Sequence, residues 1–420
     1  MNQVWLAGGI FLITYALIVT ERVHRTIAAL LGGVAIILVG VLNQDQAFQS
    51  IDWNVIFLLA GMMMIASILS DTGFFQWIAV QSVRFGKGDP YRIMVILVLV
   101  TAITSALLDN VTIVILMAPV TLFIAASLGV RPVPFLIAMI LASNIGGTAT
   151  LVGDPPNILI GSAAGIDFVT FAANLAPIAL FILVVFIGLA WFLFRRDLKD
   201  ITNDISSIES MDASELITNR PLLRKSLVVL AGVILGFLLH GALHLQPATI
   251  ALAGATVLML WGKVDLEHVL DEIEWTALFF FIGLFIVVEA LVMVGIIESV
   301  AEAALRLTGA DLQKTSMLLL WLSAIASGIV DNIPYTATMI PVVENLGKAM
   351  PIAPLWWSLA LGACLGGNAT LVGAAANVVV ANLSEKSGNP ISFGLFLRYG
   401  AIVTFVSILL ASVYVWLRYL

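Results

Sequence analysis

Two Asp–Asn pairs interrupt otherwise apolar stretches. Asp109-Asn110 lies in "LLDNVTIVILMAPV" and Asp331-Asn332 in "IVDNIPYTATMIPV". Acids in such surroundings suit the loading and release of protons, the holding of Na⁺, or the binding of a neutral hydroxylated solute. Thr112 and Thr336 add hydroxyls beside them. Two Gly-Gly stretches form a second pair: "GGTATLVGDPPN" from Gly146 and "GGNATLVGAAAN" from Gly366. Gly146, Gly147 and Gly153 permit close approach, while Pro155 and Pro156 stop a helix continuing from the N-terminal side. Asn157 is expected at the N-cap of the next helix. Asn144, Gly147, Thr148, Thr150, Asp154 and Asn157 are therefore candidate lining groups in the first stretch. Asn368, Thr370 and Asn377 are their counterparts in the second, where Ala374-Ala375-Ala376 replaces Asp154-Pro155-Pro156.

No Lys or Arg falls in either Asp–Asn segment or either Gly-rich loop. A dianion there would depend on bound cations and backbone N–H groups. Asp109, Asp331 and Glu289 are the candidate proton-coupling acids; Glu344 reads as structural. The bland alternative is that such polar residues are hydrogen-bond glue between membrane helices, and Asp154 simply a helix cap. The single cysteine, Cys364, excludes an internal disulfide and a thiolate cluster and reads as a packing residue. His240 and His244 have helical i,i+4 spacing, but their place near a segment end favours a structural role, so no metal site is expected. No GxxxxGK[ST] phosphate loop occurs, and no nucleophile–base pair marks an enzyme. No cofactor is expected beyond a bound Na⁺ or H⁺. Without a basic patch, no nucleic-acid partner is expected.

The elements that must position these groups are set by composition. Of 420 residues, 61% are hydrophobic and only 11% charged, against about 25% charged in soluble proteins. The solvent for this chain is a lipid bilayer. Apolar runs near 4–20, 26–42, 53–70, 168–194, 226–243, 248–262, 275–293 and 392–417 suit crossing segments. Interrupted stretches at 91–127, 133–165, 314–347 and 353–383 lie between them. The N-terminus lacks a basic leader region, so no cleaved signal peptide is expected.

The halves are repeats, residues 1–194 and 226–420, joined by a hydrophilic linker at 195–225. "IDWNVIFLLAGMMMIASILSDTG" from Ile51 aligns with "IEWTALFFFIGLFIVVEALVMVG" from Ile273, and the Gly-rich stretches match at eight of twelve positions. The pattern predicts re-entrant hairpins at 91–127 and 314–347, whose arms of about 16 residues are marginal for spanning. It predicts broken crossing helices at 133–165 and 353–383. With the N-terminus outside, fifteen of the nineteen Lys and Arg residues are cytoplasmic, leaving Arg306, Lys314, Lys348 and Arg418 outside. Both termini are then extracytoplasmic and the linker cytoplasmic. The expected fold is an all-α polytopic membrane protein of about 10 crossings. Five crossings per half turn the second repeat over relative to the first, as in secondary transporters.

"LLDNVTIVILMAPVTL" followed by "SNIGGTATLVGDPPNILI" resembles the ion transporter superfamily, in particular the group of arsenite efflux permeases, sodium–proton antiporters, silicon efflux transporters and the P protein. The resemblance covers essentially the whole chain. It implies an elevator-type motion, a homodimer, the inner (plasma) membrane and, for some arsenite permeases, a separate ATPase subunit. Related dicarboxylate transporters carry Ser-Asn-Thr at their hairpin tips and bind sodium there. Here Asp109 and Asp331 replace the serine, and Pro334 departs from the hydroxyl pattern. The expectation is a proton-coupled antiporter exporting a small inorganic substrate, a metalloid hydroxide such as arsenite, antimonite or silicate. A Na⁺/H⁺ antiporter and a sodium-coupled dicarboxylate transporter are the alternatives.

Overall fold

The computed structural model describes residues 2–20, 22–198 and 215–420, and among the described residues it is entirely helical. Nine helices among them are long and apolar enough to cross a membrane. Leu38, Leu260 and Leu307 are each at least 80% exposed, a pattern that water would not tolerate over so many side chains and that lipid accepts. The chain is a multi-pass membrane protein. The hydrophilic linker falls largely on residues 199–214, outside the described residues.

Each half repeats one helical order. The first runs Asn2–Thr20, Arg25–Leu38, Trp53–Asp71, a hairpin of Pro90–Leu107 and Asn110–Ser127, a broken helix of Pro132–Gly147 and Pro155–Ala164, then Phe168–Phe194. The second runs Arg220–Leu243, Pro247–Gly262, Trp275–Met293, a hairpin of Leu312–Val330 and Asn332–Leu346, a broken helix of Ala353–Gly366 and Ala375–Lys386, then Phe393–Tyr419. Taking each broken helix as one crossing gives five per half.

The hairpin arms are longer than the sequence suggested. Both arms of the first have 18 residues, about 27 Å at 1.5 Å per residue, so length alone does not mark them as re-entrant. The tip does: Asp109 and Asn110 are buried, at 4% and 1% exposure, instead of emerging into water. Two further helix pairs escaped the sequence reading. Phe74–Gly86 and Ile296–Thr308 are amphipathic, and each starts after a glycine with φ near +78°, Gly73 and Gly295. Gln44–Gln49 and Leu266–Asp271 are short connectors.

Packing divides the helices into two groups. In a frame, Trp53–Asp71 packs on Pro247–Gly262 and Arg25–Leu38 on Trp275–Met293, so each half supplies one long and one short partner to the other. Both crossings are backbone-close. A Cβ on Gly61 would lie 2.8 Å from the Ala251 backbone, and one on Gly283 2.5 Å from that of Ala29. Small residues permit this in membranes, where packing rather than hydrophobicity joins helices. In a core, the first arm of each hairpin packs on the first part of its broken helix. The second part of each broken helix packs on the other half's hairpin: Pro155–Ala164 on Asn332–Leu346, and Ala375–Lys386 on Asn110–Ser127. That exchange brings the two tips and the two Gly-rich loops together.

Candidate functional site

The first tip is built by helix capping. After Pro90–Leu107 the chain extends through Leu108, and Asp109 caps the next helix. Asp109 Oδ2 accepts hydrogen bonds from the Thr112 N–H (2.9 Å) and hydroxyl (2.8 Å). Its Oδ1 is buried and accepts none; the same holds for Asn110 Oδ1. Leaving a buried acceptor unmet costs about 1–3 kcal/mol, so both oxygens suit a cation or a hydroxyl donor, and the Asp109 oxygen also a proton.

The second tip is tighter. Asp331 alone separates its two helices, with φ +93° and ψ 139°, a conformation costing a non-glycine residue about 1–3 kcal/mol. Its Oδ1 accepts from the Ile333 N–H (3.0 Å), and its Oδ2 lies 3.2 Å from Arg25 Nη1. The sequence expectation of acids without a base is therefore corrected. The base comes from the start of a frame helix, far away in sequence, and is held over the Phe280 ring at 5.6 Å. Among the described residues no base pairs with Asp109, and the residue matching Arg25 in the second half is Pro247.

Asparagines staple the Gly-rich loops. Asn157 Nδ2 donates to the Gly147 carbonyl (3.1 Å), the Thr150 carbonyl (2.9 Å) and, more weakly, that of Thr148 (3.4 Å). Asn377 Nδ2 donates to the matching carbonyls of Gly367 (2.7 Å) and Thr370 (2.9 Å). Asn157 is thus not the N-cap expected from sequence; it lies inside Pro155–Ala164, and its amide ties down the loop before it. Asp154 holds the N-cap position but makes no side-chain cap hydrogen bond. Of the five candidate threonine hydroxyls, Thr112 bonds the Asp109 carboxylate and the other four brace backbone. Thr148 donates to Asn144 O, Thr150 to Ala106 O, Thr336 to Asn332 O and Thr370 to Gly328 O.

Asn144 joins the two halves. Its Oδ1 accepts from Asn110 Nδ2 (3.0 Å), and its Nδ2 donates to Asn368 Oδ1 (2.9 Å) and Asn377 Oδ1 (3.1 Å). Asn368 in turn donates to the Leu141 carbonyl at 3.3 Å. Asn332 of the second tip donates to the Asp154 carboxylate at 3.2 Å. Asp154 is fully buried, and the charges of both Asp109 and Asp331 act on it. Three acids and six asparagines from four elements thus gather at one buried place.

Glu289 is not drawn into that cluster by any described contact. It sits half-buried on Trp275–Met293, and its charge acts on Glu344. His240 Nε2 accepts from the Phe168 N–H (2.9 Å) while Nδ1 faces the Leu245 carbonyl (3.2 Å), a structural role. No group of three His, Cys, Asp or Glu side chains suited to a metal ion occurs among the described residues. Three site neighbours escaped the sequence reading. Arg25 opens one frame helix and carries no local motif; Glu274 immediately precedes another, within the repeated segment from Ile273 and opposite Asp52. Cys364, read as packing, directs its thiol to Asn157 Oδ1 at 3.2 Å; its place beside the second Gly-Gly pair was the available signal. A cavity of about 330 Å³ adjoins the second tip, lined by His24, Arg25, Asp331, Ala375 and Asn382 among others. A second, of about 360 Å³, lies beside Leu151, Asp167 and His240.

A family model described as citrate transporter matches residues 15–362. The chain is 47% identical over 422 residues to an uncharacterized transporter of Mycobacterium tuberculosis, covering 99% of this chain and 98% of that protein. It is 34% identical to the P protein of Homo sapiens over 95% of this chain, which spans 58% of that longer protein. Among solved structures, the YdaH transporter of Alcanivorax borkumensis, reported to have an unusual topology, superposes with a TM-score of 0.57 at 15% identity. The match covers 88% of this chain and 86% of that one, a likeness of fold.

Proposed function

This chain is a membrane transporter belonging to the citrate transporter family of the ion transporter superfamily, and on that premise we propose that it works as a proton-coupled antiporter. Protons enter and a small hydroxylated solute leaves, with a metalloid hydroxide such as arsenous acid as the cargo. The observation that carries this reading is the gathering of Asp109, Asp154 and Asp331 among asparagine amides, with buried oxygens on Asp109 and Asn110 that accept no hydrogen bond. Acids so placed exchange protons, and amide groups suit the hydroxyls of an uncharged solute. A lone buried thiol, Cys364, cannot supply three sulfur ligands, so arsenic would travel as its hydroxide. One proton moving down 100 mV yields about 2.3 kcal/mol, enough to drive such a solute uphill.

Orientation belongs to the same proposal. The bias of Lys and Arg puts the linker and the Arg25 end of the frame in the cytoplasm, with both termini outside the plasma membrane. The cavity beside Asp331 then opens inward.

Arg25 favours a second reading. A guanidinium in that cavity suits a carboxylate, and the family model carries the description of a citrate transporter. Purified protein in vesicles tests the two. Under an imposed proton gradient, uphill arsenite movement with proton counterflow supports the first reading. Citrate movement without arsenite movement rejects it in favour of the second.

A further inference from the structure

Glu274 immediately precedes the span Trp275–Met293 and makes no helix-capping hydrogen bond with its side chain. Instead it lines a cavity of about 60 Å³ with Met63, Ser67, Thr112, Ile115, Leu116 and Glu272. That volume admits a few water molecules. Two hydroxyls face the cavity from opposite groups of helices. Ser67, on the frame, has a buried Oγ without a hydrogen-bond partner. Thr112, on the first hairpin, donates its hydroxyl to Asp109 Oδ2. A polar route therefore runs from a frame carboxylate to the buried acid of the first tip.

The charges around Glu274 are few. Asp109 acts on it from the hairpin and Arg25 from the neighbouring frame helix. Glu272 shares the cavity, and at the same end His268 and Asp71 pair with each other at 3.1 Å. Burial, with the Asp109 charge acting in the same direction and Arg25 opposing, pushes the Glu274 carboxyl up to about 7.

We propose that Glu274 is the carboxylate through which protons reach Asp109. Glu274 takes a proton from water and releases it to the Thr112 hydroxyl, directly or through water in the cavity. The hydroxyl passes its own proton to Asp109 Oδ2. The threonine ends unchanged, Asp109 gains one proton and Glu274 loses one. The assignment rests on the proton-coupled reading above and adds the entry step to it.

Two measurements on vesicle-reconstituted full-length protein test the step. In Glu274→Gln, proton-driven arsenite transport near pH 7 falls about tenfold or more, while arsenite–arsenite exchange stays close to wild type. Glu267→Gln, an exposed change at the same end, leaves both unchanged. Time-resolved infrared spectroscopy without any cargo then tracks hydrogen–deuterium exchange at the Asp109 carboxyl, which slows about tenfold or more in Glu274→Gln. Wild-type infrared kinetics in Glu274→Gln, or equal loss of exchange and proton-driven transport, overturns the relay alone. Wild-type vesicles that move arsenite without protons overturn the coupled reading together with it.

Discussion

Arg25 and Asp331 give the most exacting test of the second tip. The Nη1–Oδ2 distance is 3.2 Å, and the side chains are 30% and 12% exposed. A fully exposed pair is worth about 0–1 kcal/mol, and a charge-assisted hydrogen bond about 1.5–3 kcal/mol. Partial burial places this pair between them, at about 1–2 kcal/mol. Asp331→Asn isolates the charge, because asparagine is nearly isosteric and keeps an acceptor for the Ile333 N–H. Arg25→Gln removes the other partner. Each single change is expected to lower stability by about 1–2 kcal/mol, and the double change by little more than either alone. Chemical unfolding in mixed micelles, followed by tryptophan fluorescence, reads the cycle. Additive losses, within about 0.5 kcal/mol, would show that the two residues do not interact and that Arg25 does not neutralise the tip.

Three further outcomes are expected from individual contacts. Gly147→Ala drives a Cβ to 2.5 Å from the Gly153 carbonyl, whereas in Gly367→Ala the nearest atoms lie at 3.2 Å. The first should cost about 1–3 kcal/mol of stability and the second clearly less; equal costs would refute the close approach in the first loop. Asn144→Ala removes three side-chain hydrogen bonds from a fully buried site and should cost about 2–4 kcal/mol, while Asn174→Ala, which removes two from a half-buried site, should cost less. Because folding holds Glu274 at about 7 against an ordinary 4.5, the folded state binds more protons than the unfolded chain between those values. Stability therefore falls as pH rises through that window, by about 3 kcal/mol, and unfolding midpoints across pH should lose most of this slope in Glu274→Gln.

Much of the architecture was legible in residue order because membrane spans and duplications write long signals. The helix ends at Leu107, Val330, Gly147 and Gly366 fall where Asp109, Asp331 and the Gly-Gly pairs interrupt apolar runs. The amphipathic helices Phe74–Gly86 and Ile296–Thr308 leave no long apolar run, because each has 13 residues and is polar on one side. The site divides the same way. Asp154, Asn332 and Asn377 sit in motifs that repeat, so they could be named. Arg25 could not, because its partner lies 306 residues away and only the packing of Arg25–Leu38 on Trp275–Met293 delivers it. Asn157 was named for the wrong reason: the two prolines begin the helix, so the N-cap falls to Asp154 and the asparagine turns back on the loop. Glu274 sits in the repeated segment from Ile273, opposite Asp52, where it reads only as a helix start; the cavity it shares with Thr112 distinguishes it from other helix-end carboxylates.

The most direct test of the proton-coupled account is the proton stoichiometry of Asp109→Asn. The substitution keeps the cap on Thr112 and removes the ionisable group. At 100 mV, wild-type vesicles should hold arsenite against a gradient of about 50-fold per proton exchanged and take up protons as they do so. Asp109→Asn should still exchange arsenite yet hold no gradient and move no protons. A variant that sustains the wild-type gradient with the wild-type proton flux would contradict the account.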